Sequence, residues 1–380
     1  MPLSSDQESS IDLAAEVKRQ LVDFALTPPF ERHVRRIARR LAEQHPDGPD
    51  LGTAAVEHLL FEFQFDDGSG VVDRFVSQSK VNETEAAMAR GFLDGYQGYF
   101  ELLTDVRPDV ESFTVRCCLS DLEHMVVPTL PGGIPDISAG AFLVGRLVPV
   151  AGAGVWTLSG VHETLSASAR HAVSAATSEM ALQAPWLTHR NPEYLAKALA
   201  QVSAIHDRFL TRHRSDLVLV DASALADLYA EVIVGDDIDP EAAASSQTMA
   251  RRMVEESELM SGGPVLVHCH PVAGIGFYQS YPPVARALAA GPAADPADLR
   301  ILREYLADPA IPAWTLRRII TEHLPASEAA LAKATSRNGF LWAHDGEQLL
   351  ASTPGDQEPR PTVAILPTIC TRSAVEPRPH

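Results

Sequence analysis

Apolar residues recur at three- and four-residue spacing from Ile11 to Leu26 and again from Glu31 to Glu43. This is the period of amphipathic helices, and Thr27-Pro28-Pro29 between the two runs cannot continue a helix interior. After the Pro46 to Pro49 loop, Thr53 to Phe65 is strongly apolar and aromatic; Asp66-Asp67-Gly68-Ser69-Gly70 then makes a turn before Val71 to Ser77, and Glu83 to Leu93 reads as helical. From about Tyr96 the pattern shortens to alternating runs at Tyr99 to Val106, Ser112 to Leu119, His124 to Thr129, Ala141 to Val150 and Gly154 to Gly160. Five such strands, with turn chemistry at Pro131-Gly132-Gly133 and Ala151-Gly152-Ala153-Gly154, predict a small β-barrel or curled sheet.

Helical periodicity returns over Leu165 to Gln183 and Pro192 to His213. Asp216 to Val220 and Val265 to His270 are strand candidates, Asp221 is placed to cap a helix over Ala222 to Val234, and a further helix lies near Pro283 to Ala290. Pro296 to Ala307 and Trp314 to His323 are predicted helices, and Phe340 to Ala343 with Gln348 to Ala351 a hairpin across Asp345-Gly346. The expected class is α+β: a helical N-terminal region (1–97), a small five-stranded β-barrel-like module (98–163), a mixed α/β region (164–292), a helical region with a hairpin candidate (293–352) and a mobile Pro-rich tail (353–380).

Composition narrows the function classes. A chain of 380 residues exceeds the size at which one core keeps growing, so two or three packed units are expected. Its 46% hydrophobic and 21% charged residues belong to the globular range. A net charge of −19 repels phosphate backbones and disfavours general nucleic-acid binding. Only four lysines occur, so nearly all positive charge is arginine, the mark of a GC-rich coding sequence. Four cysteines form no disulfide framework of the small secreted type, which points to a reducing, cytoplasmic setting. Met1 to Ser10 is polar and acidic, so no signal peptide is expected. The apolar stretch Ala139 to Val155 carries Arg146, Pro149 and several glycines, so no membrane helix is expected either.

Standard catalytic signatures are missing: there is no Walker A loop, G-x-S-x-G elbow or H-E-x-x-H helix, and His162-Glu163-Thr164-Leu165-Ser166 ends in serine where a second zinc ligand belongs. A strand over His268-Cys269-His270 would put the two histidines on one face and send Cys269 to the other. With no further ligand at suitable spacing, neither metal nor other cofactor is expected there. The small-residue and aromatic loop Pro271 to Tyr281 makes His268, His270 and Tyr278 the candidate ligand-binding residues. By the 100° per residue count, Arg32, Arg35, Arg36, Arg39 and Arg40 share one helix face, opposite Val34, Ile37, Ala38 and Leu41. This stripe is the candidate surface for an acidic protein partner or for the chain's own acidic segments. Gly235 to Glu241 is a carboxylate-rich loop that lacks the spacing of a calcium site. Trp314 to Thr335 has the outline of a helix-turn-helix, with Arg317, Arg318, Lys333 and Arg337 as phosphate contacts.

The run Leu59 to Gly68, followed by Val71-Val72-Asp73-Arg74-Phe75, resembles uncharacterised bacterial proteins that often carry a C-terminal SEC-C zinc motif. Tyr99 to Leu102, Leu119 to Leu122, Gly140 to Pro149 and Leu158 to Gly160 resemble that family's strands and turns, and Leu217 to Val220 does so thinly. The SEC-C motif itself is missing, with Cys370 alone near the C-terminus, so zinc-dependent partner binding does not carry over. The resemblance implies fold and compartment more than activity.

The leading expectation is an intracellular adaptor or regulatory binding protein. A small-molecule-binding protein or enzyme using loop 268–281 is the alternative, and a transcription-related nucleic-acid-binding protein the third. The sequence leaves catalysis open.

Overall fold

A computed structural model of the chain describes residues 3–44, 50–65, 67–107, 111–128, 136–233, 240–257, 259, 263–355 and 358–373. The Pro46–Pro49 loop, Asp66, the Pro131-Gly132-Gly133 turn and residues 235–239 of the acidic loop lie outside them. The fold is α+β, and the chain divides into two units: 1–191 with 366–380, and 192–365.

In the first unit, α1 (Ser5–Ala25) begins at a capping box in which the Ser4 hydroxyl accepts from Gln7 N–H and the Gln7 side chain accepts from Ser4 N–H. The prolines between the first two predicted helices open the second: α2 spans Pro28–Gln44, where a proline's missing N–H costs nothing in the first turn. Helices α3 (Leu51–Phe61), α4 (Val71–Gln78) and α5 (Glu83–Gly91) complete a helical layer whose core includes Val17, Leu21, Phe30, Leu59, Leu60 and Phe75.

Strands β1 (Tyr96–Leu102), β2 (Phe113–Cys117), β3 (Glu123–Val127), β4 (Phe142–Val150) and β5 (Val155–Leu165) form a closed barrel in the order β1-β2-β3-β5-β4. The β3–β5 pair is parallel and the others antiparallel. Strand β5 runs beyond the predicted Gly160 through a bulge opposite Gly145. At the bulge Gly160 takes φ +68°, and a Cβ there would stand 2.3 Å from Glu57 Cγ, so both conformation and space call for glycine. Leu143 and Leu147 lie in the barrel core with Phe100, Leu102 and Val115. Cys117 and Cys118 are both buried in different clusters, as alternation along a strand requires. Helix α6 (Arg170–Gln183) packs beside the barrel.

The second unit builds a three-stranded sheet of β6 (Leu217–Val220), β7 (Val265–His270) and β8 (Gly274–Tyr278), all antiparallel, with β7 central. One sheet face, with Val265, Val267 and Cys269, packs on α7 (Pro192–His213), α8 (Ala222–Ile233) and α9 (Pro240–Glu255). The other, with Leu266 and Tyr278, packs on α10 (Tyr281–Ala290), α11 (Pro296–Ala307), α12 (Ala313–Glu322), α13 (Ala326–Thr335) and α14 (Trp342–Ala351).

Two expectations are corrected here. The loop Pro271 to Tyr281 contains strand β8, so His268 to Tyr278 is a hairpin and not an open loop. The predicted hairpin at 340–351 is helix α14: Asp345 accepts from Leu341 N–H in the first turn, and Trp342, Leu349 and Leu350 share one helical face. In the tail, Thr362 bonds the Ala273 carbonyl, and α15 (Thr368–Ser373) returns to the first unit, where Asp121 accepts from Thr368 N–H and hydroxyl. Among the described residues no helix is long and apolar enough to cross a membrane.

Candidate functional site

His268 and His270 do share a face of β7, opposite Gly276 and Gly274 of β8. That face is covered. His268 is 2% exposed, its Nδ1 lies 3.1 Å from the Thr315 hydroxyl, and the Tyr278 hydroxyl lies 3.0 Å from the same oxygen. Gly276 permits this: a Cβ there would stand 2.3 Å from the Tyr278 hydroxyl, so glycine lets the tyrosine ring fold back along its own strand. His270 Nδ1 accepts from Val272 and Ala273 N–H, and the Trp314 ring covers both imidazoles at 5.2 and 4.5 Å. Asp216 Oδ2 lies 4.0 Å from His268 Nε2 and is itself held by Arg318 at 2.8 and 2.9 Å. Hydrogen bonds and rings already occupy the three candidate ligand residues, which form a packed polar seam between sheet and α12. Among the described residues no group of three His, Cys, Asp or Glu side chains is placed to hold a metal.

Burial pushes the His268 pKa down to about 4, against the pull of Asp216 in the other direction. The unfolded chain therefore binds a proton near pH 6.5 that the folded unit refuses until about pH 4, so this histidine makes stability fall as pH drops through that window. Urea denaturation from pH 7 to 4.5 should show the decline, and His268→Gln should remove up to about 1.4 kcal/mol per pH unit of the slope. Equal slopes in the two proteins would place the histidine in water.

A cavity of about 370 Å³ opens beside the seam, walled by Phe277 to Ser280, Tyr305, Glu304, Asp308 and Ile311. His268 and His270 take no part in its lining.

The larger concavity, about 940 Å³, lies in the first unit and holds part of the arginine stripe. Helix α2 buries Ile37 and half-buries Val34, Ala38 and Leu41, and this leaves Arg32, Arg35, Arg36, Arg39 and Arg40 exposed on its other face. Of these, Arg32 and Arg36 reach the groove; Arg35 pairs with Glu31, and Arg40 contacts His58 at 2.8 Å. Arg74 of α4 also lines it. The floor is aromatic. Phe63 and Phe65 project from the short bridged segment at Gln64 and Gly70, edge to face with each other at 5.0 Å, and His33 packs on both rings. Phe24 and Phe30 extend the row. The Arg74 guanidinium lies over the Phe65 ring at 3.4 Å and donates to Ser69 and Asp67, and the Arg36 guanidinium lies 5.6 Å from the centre of the Phe63 ring.

No family model, curated protein or solved structure matches the chain. The site is therefore read from its own chemistry.

Among the described residues Arg32, Arg36 and Arg39 have no carboxylate partner, while Arg74 pairs with Asp67 at 3.0 Å. His33 stands between two guanidinium groups, with Arg32 Nε at 3.3 Å from its Nε2 and Arg36 Nη2 at 3.2 Å from its Nδ1. Each guanidinium carries five N–H donors, so contact with the imidazole leaves both arginines with donors for an outside acceptor.

The remaining basic candidates are spent within the chain. Arg317 makes a two-pronged pair with Glu347, Arg318 holds Asp216 and Glu322, Lys333 donates to the Pro292 carbonyl, and Arg337 reaches Gln348. Five-stranded Greek-key barrels that bind oligonucleotides use the face of their second and third strands. Here Arg116 on that face is tied to Glu123 at 2.8 Å.

Sequence reasoning found the arginine stripe but not its setting. The groove needs Phe63, Phe65 and Arg74, which lie far from α2 in the chain; their signal was the alternation Phe61-Glu62-Phe63-Gln64-Phe65 followed by Arg74.

Proposed function

We propose that this is a binding protein, an adaptor or regulator, that receives an acidic protein partner in the groove of its first unit. One observation carries the reading: Arg32, Arg36 and Arg39 stand exposed and without a carboxylate partner among the described residues, in a chain of net charge −19. Several arginines elsewhere are paired with carboxylates, as Arg170 with Glu101, Arg212 with Glu231 and Arg286 with Asp298, and Arg208 and Arg303 donate to backbone carbonyls; the three of α2 differ in standing together on one exposed helix face. Cations kept unpaired beside half-buried phenylalanines have the make-up of a protein-binding centre, where arginine and aromatic residues dominate the energy. The negative surround opposes an extended polyanion but not a short acidic segment that fits the groove. Four free cysteines suit a cytoplasmic setting. Kinship with the SEC-C-associated proteins belongs to the same proposal, resting on Leu59 to Gly160 and implying no zinc.

Isothermal titration with a random Glu/Tyr copolymer at about 150 mM salt, where screening acts over about 8 Å, tests the reading. The wild type should bind, and Arg32→Glu with Arg36→Glu should weaken binding at least about tenfold, or ~1.4 kcal/mol. Circular dichroism should not change, since both side chains are exposed. Equal binding by variant and wild type would contradict the proposal.

A further inference from the structure

Resting on that reading, we infer that the groove recognises a linear motif in its partner, an aromatic side chain flanked by carboxylates, and not acidity alone. Its two halves make different demands. The cationic half, Arg32 and Arg36 with Arg74, meets a single carboxylate, Asp67, among the described lining residues. Asp67 is already bonded to Ser69 and Arg74, so it does not neutralise the α2 side. An incoming carboxylate meets the exposed guanidinium groups of Arg32 and Arg36, whose N–H donors make charge-assisted hydrogen bonds to it.

The aromatic half would gain nothing from a carboxylate. Phe24, Phe63 and Phe65 remain half-buried; Phe63 with Phe65 and His33 with Phe65 meet edge to face at 81° and 80°, while Phe24 with Phe30, Phe30 with Phe65 and His33 with Phe63 are tilted at 53°, 52° and 58°. A further aromatic ring can join such a row in the same edge-to-face or tilted geometry. Pro29 and Thr27 close the end of this row. A volume of about 940 Å³ accommodates a few side chains of a peptide.

The test compares four fluorescent probes on the full chain at about 150 mM salt. They are a Glu-rich peptide with a central Phe, the same peptide with Ala for Phe, the Phe peptide with Gln for every Glu, and a single-stranded oligonucleotide. The Phe–Glu peptide should bind at least about tenfold more tightly than either altered peptide. Arg36→Ala should erase the preference for Glu over Gln, and Phe63→Leu should reduce the preference for Phe over Ala while leaving the charge dependence. Equal binding of the Phe and Ala peptides, both weakened by Arg36→Ala, would overturn the aromatic requirement and leave the adaptor reading standing. Failure of every Glu-rich peptide to bind, or tighter binding of the oligonucleotide, would overturn both.

Discussion

Leu147→Asp should prevent the first unit from folding. Leu147 is fully buried on β4, opposite Tyr96 of β1 and Leu158 of β5, and packs with Phe100, Leu143 and Val115 inside the closed barrel. A carboxylate there finds no cation and no water, and its desolvation costs several kcal/mol or forces its protonation. The shorter Asp also leaves a void where the leucine was. Since whole domains are stable by only about 5–15 kcal/mol, the change removes most of the margin. The expected result is insoluble protein, or soluble protein with the barrel's signal lost from circular dichroism. Leu147→Met, which conserves volume, should cost under about 1.5 kcal/mol. A Leu147→Asp protein that melts like wild type would show that β4 does not line the core.

The second large effect lies where the helical layer meets the barrel. Glu57 of α3 accepts from Lys18 at 2.8 Å and from the Ser159 hydroxyl at 2.8 Å, with Arg146 Nε at 3.9 Å. Arg146 is also paired with Glu62, and the Phe61 ring lies against both cations. Burial pushes the Lys18 pKa down while Glu57 pulls it up. Glu57→Gln therefore leaves the largely buried Lys18 without its counter-ion while Arg146 keeps Glu62, a loss of up to about 3–5 kcal/mol for a buried pair broken on one side. Chemical denaturation should show that loss. Removing Lys18 as well, in Lys18→Met with Glu57→Gln, should recover part of it, because the uncompensated charge is then gone. A loss below about 1 kcal/mol for Glu57→Gln would mean that water solvates the cluster.

How much of this was legible in the chain depends on how far apart the partners lie. Helix α11 and strand β7 were read from local period alone with the bounds they have, and all five barrel strands were found, because alternation and turn residues are local signals. Strand β8 was missed since Gly274 and Gly276 depress strand propensity; its reason for being a strand is the pairing with β7 and the space Tyr278 needs. Asp345-Gly346 imitated a hairpin turn, but Trp342 packing on Gly346 made that position helical. The candidate sites divide in the same way. Period alone set the arginine face of α2, whereas burial of His268 under Trp314 and Thr315 depends on a helix that follows it in the chain and left no mark near the histidine.

The central claim is that a partner's acidic, aromatic segment sits in the groove of the first unit. Photo-crosslinking tests it most directly, with a Glu-rich peptide whose central Phe is replaced by benzoylphenylalanine and the attachment points read by mass spectrometry. Cross-links are expected at the lining of that groove, at Phe24, Phe30, His33, Phe63, Phe65 and Arg74, and should be suppressed in Arg32→Glu with Arg36→Glu. Cross-links concentrated at the hairpin 268–281 or at α12 and α13, and unchanged in that variant, would contradict it.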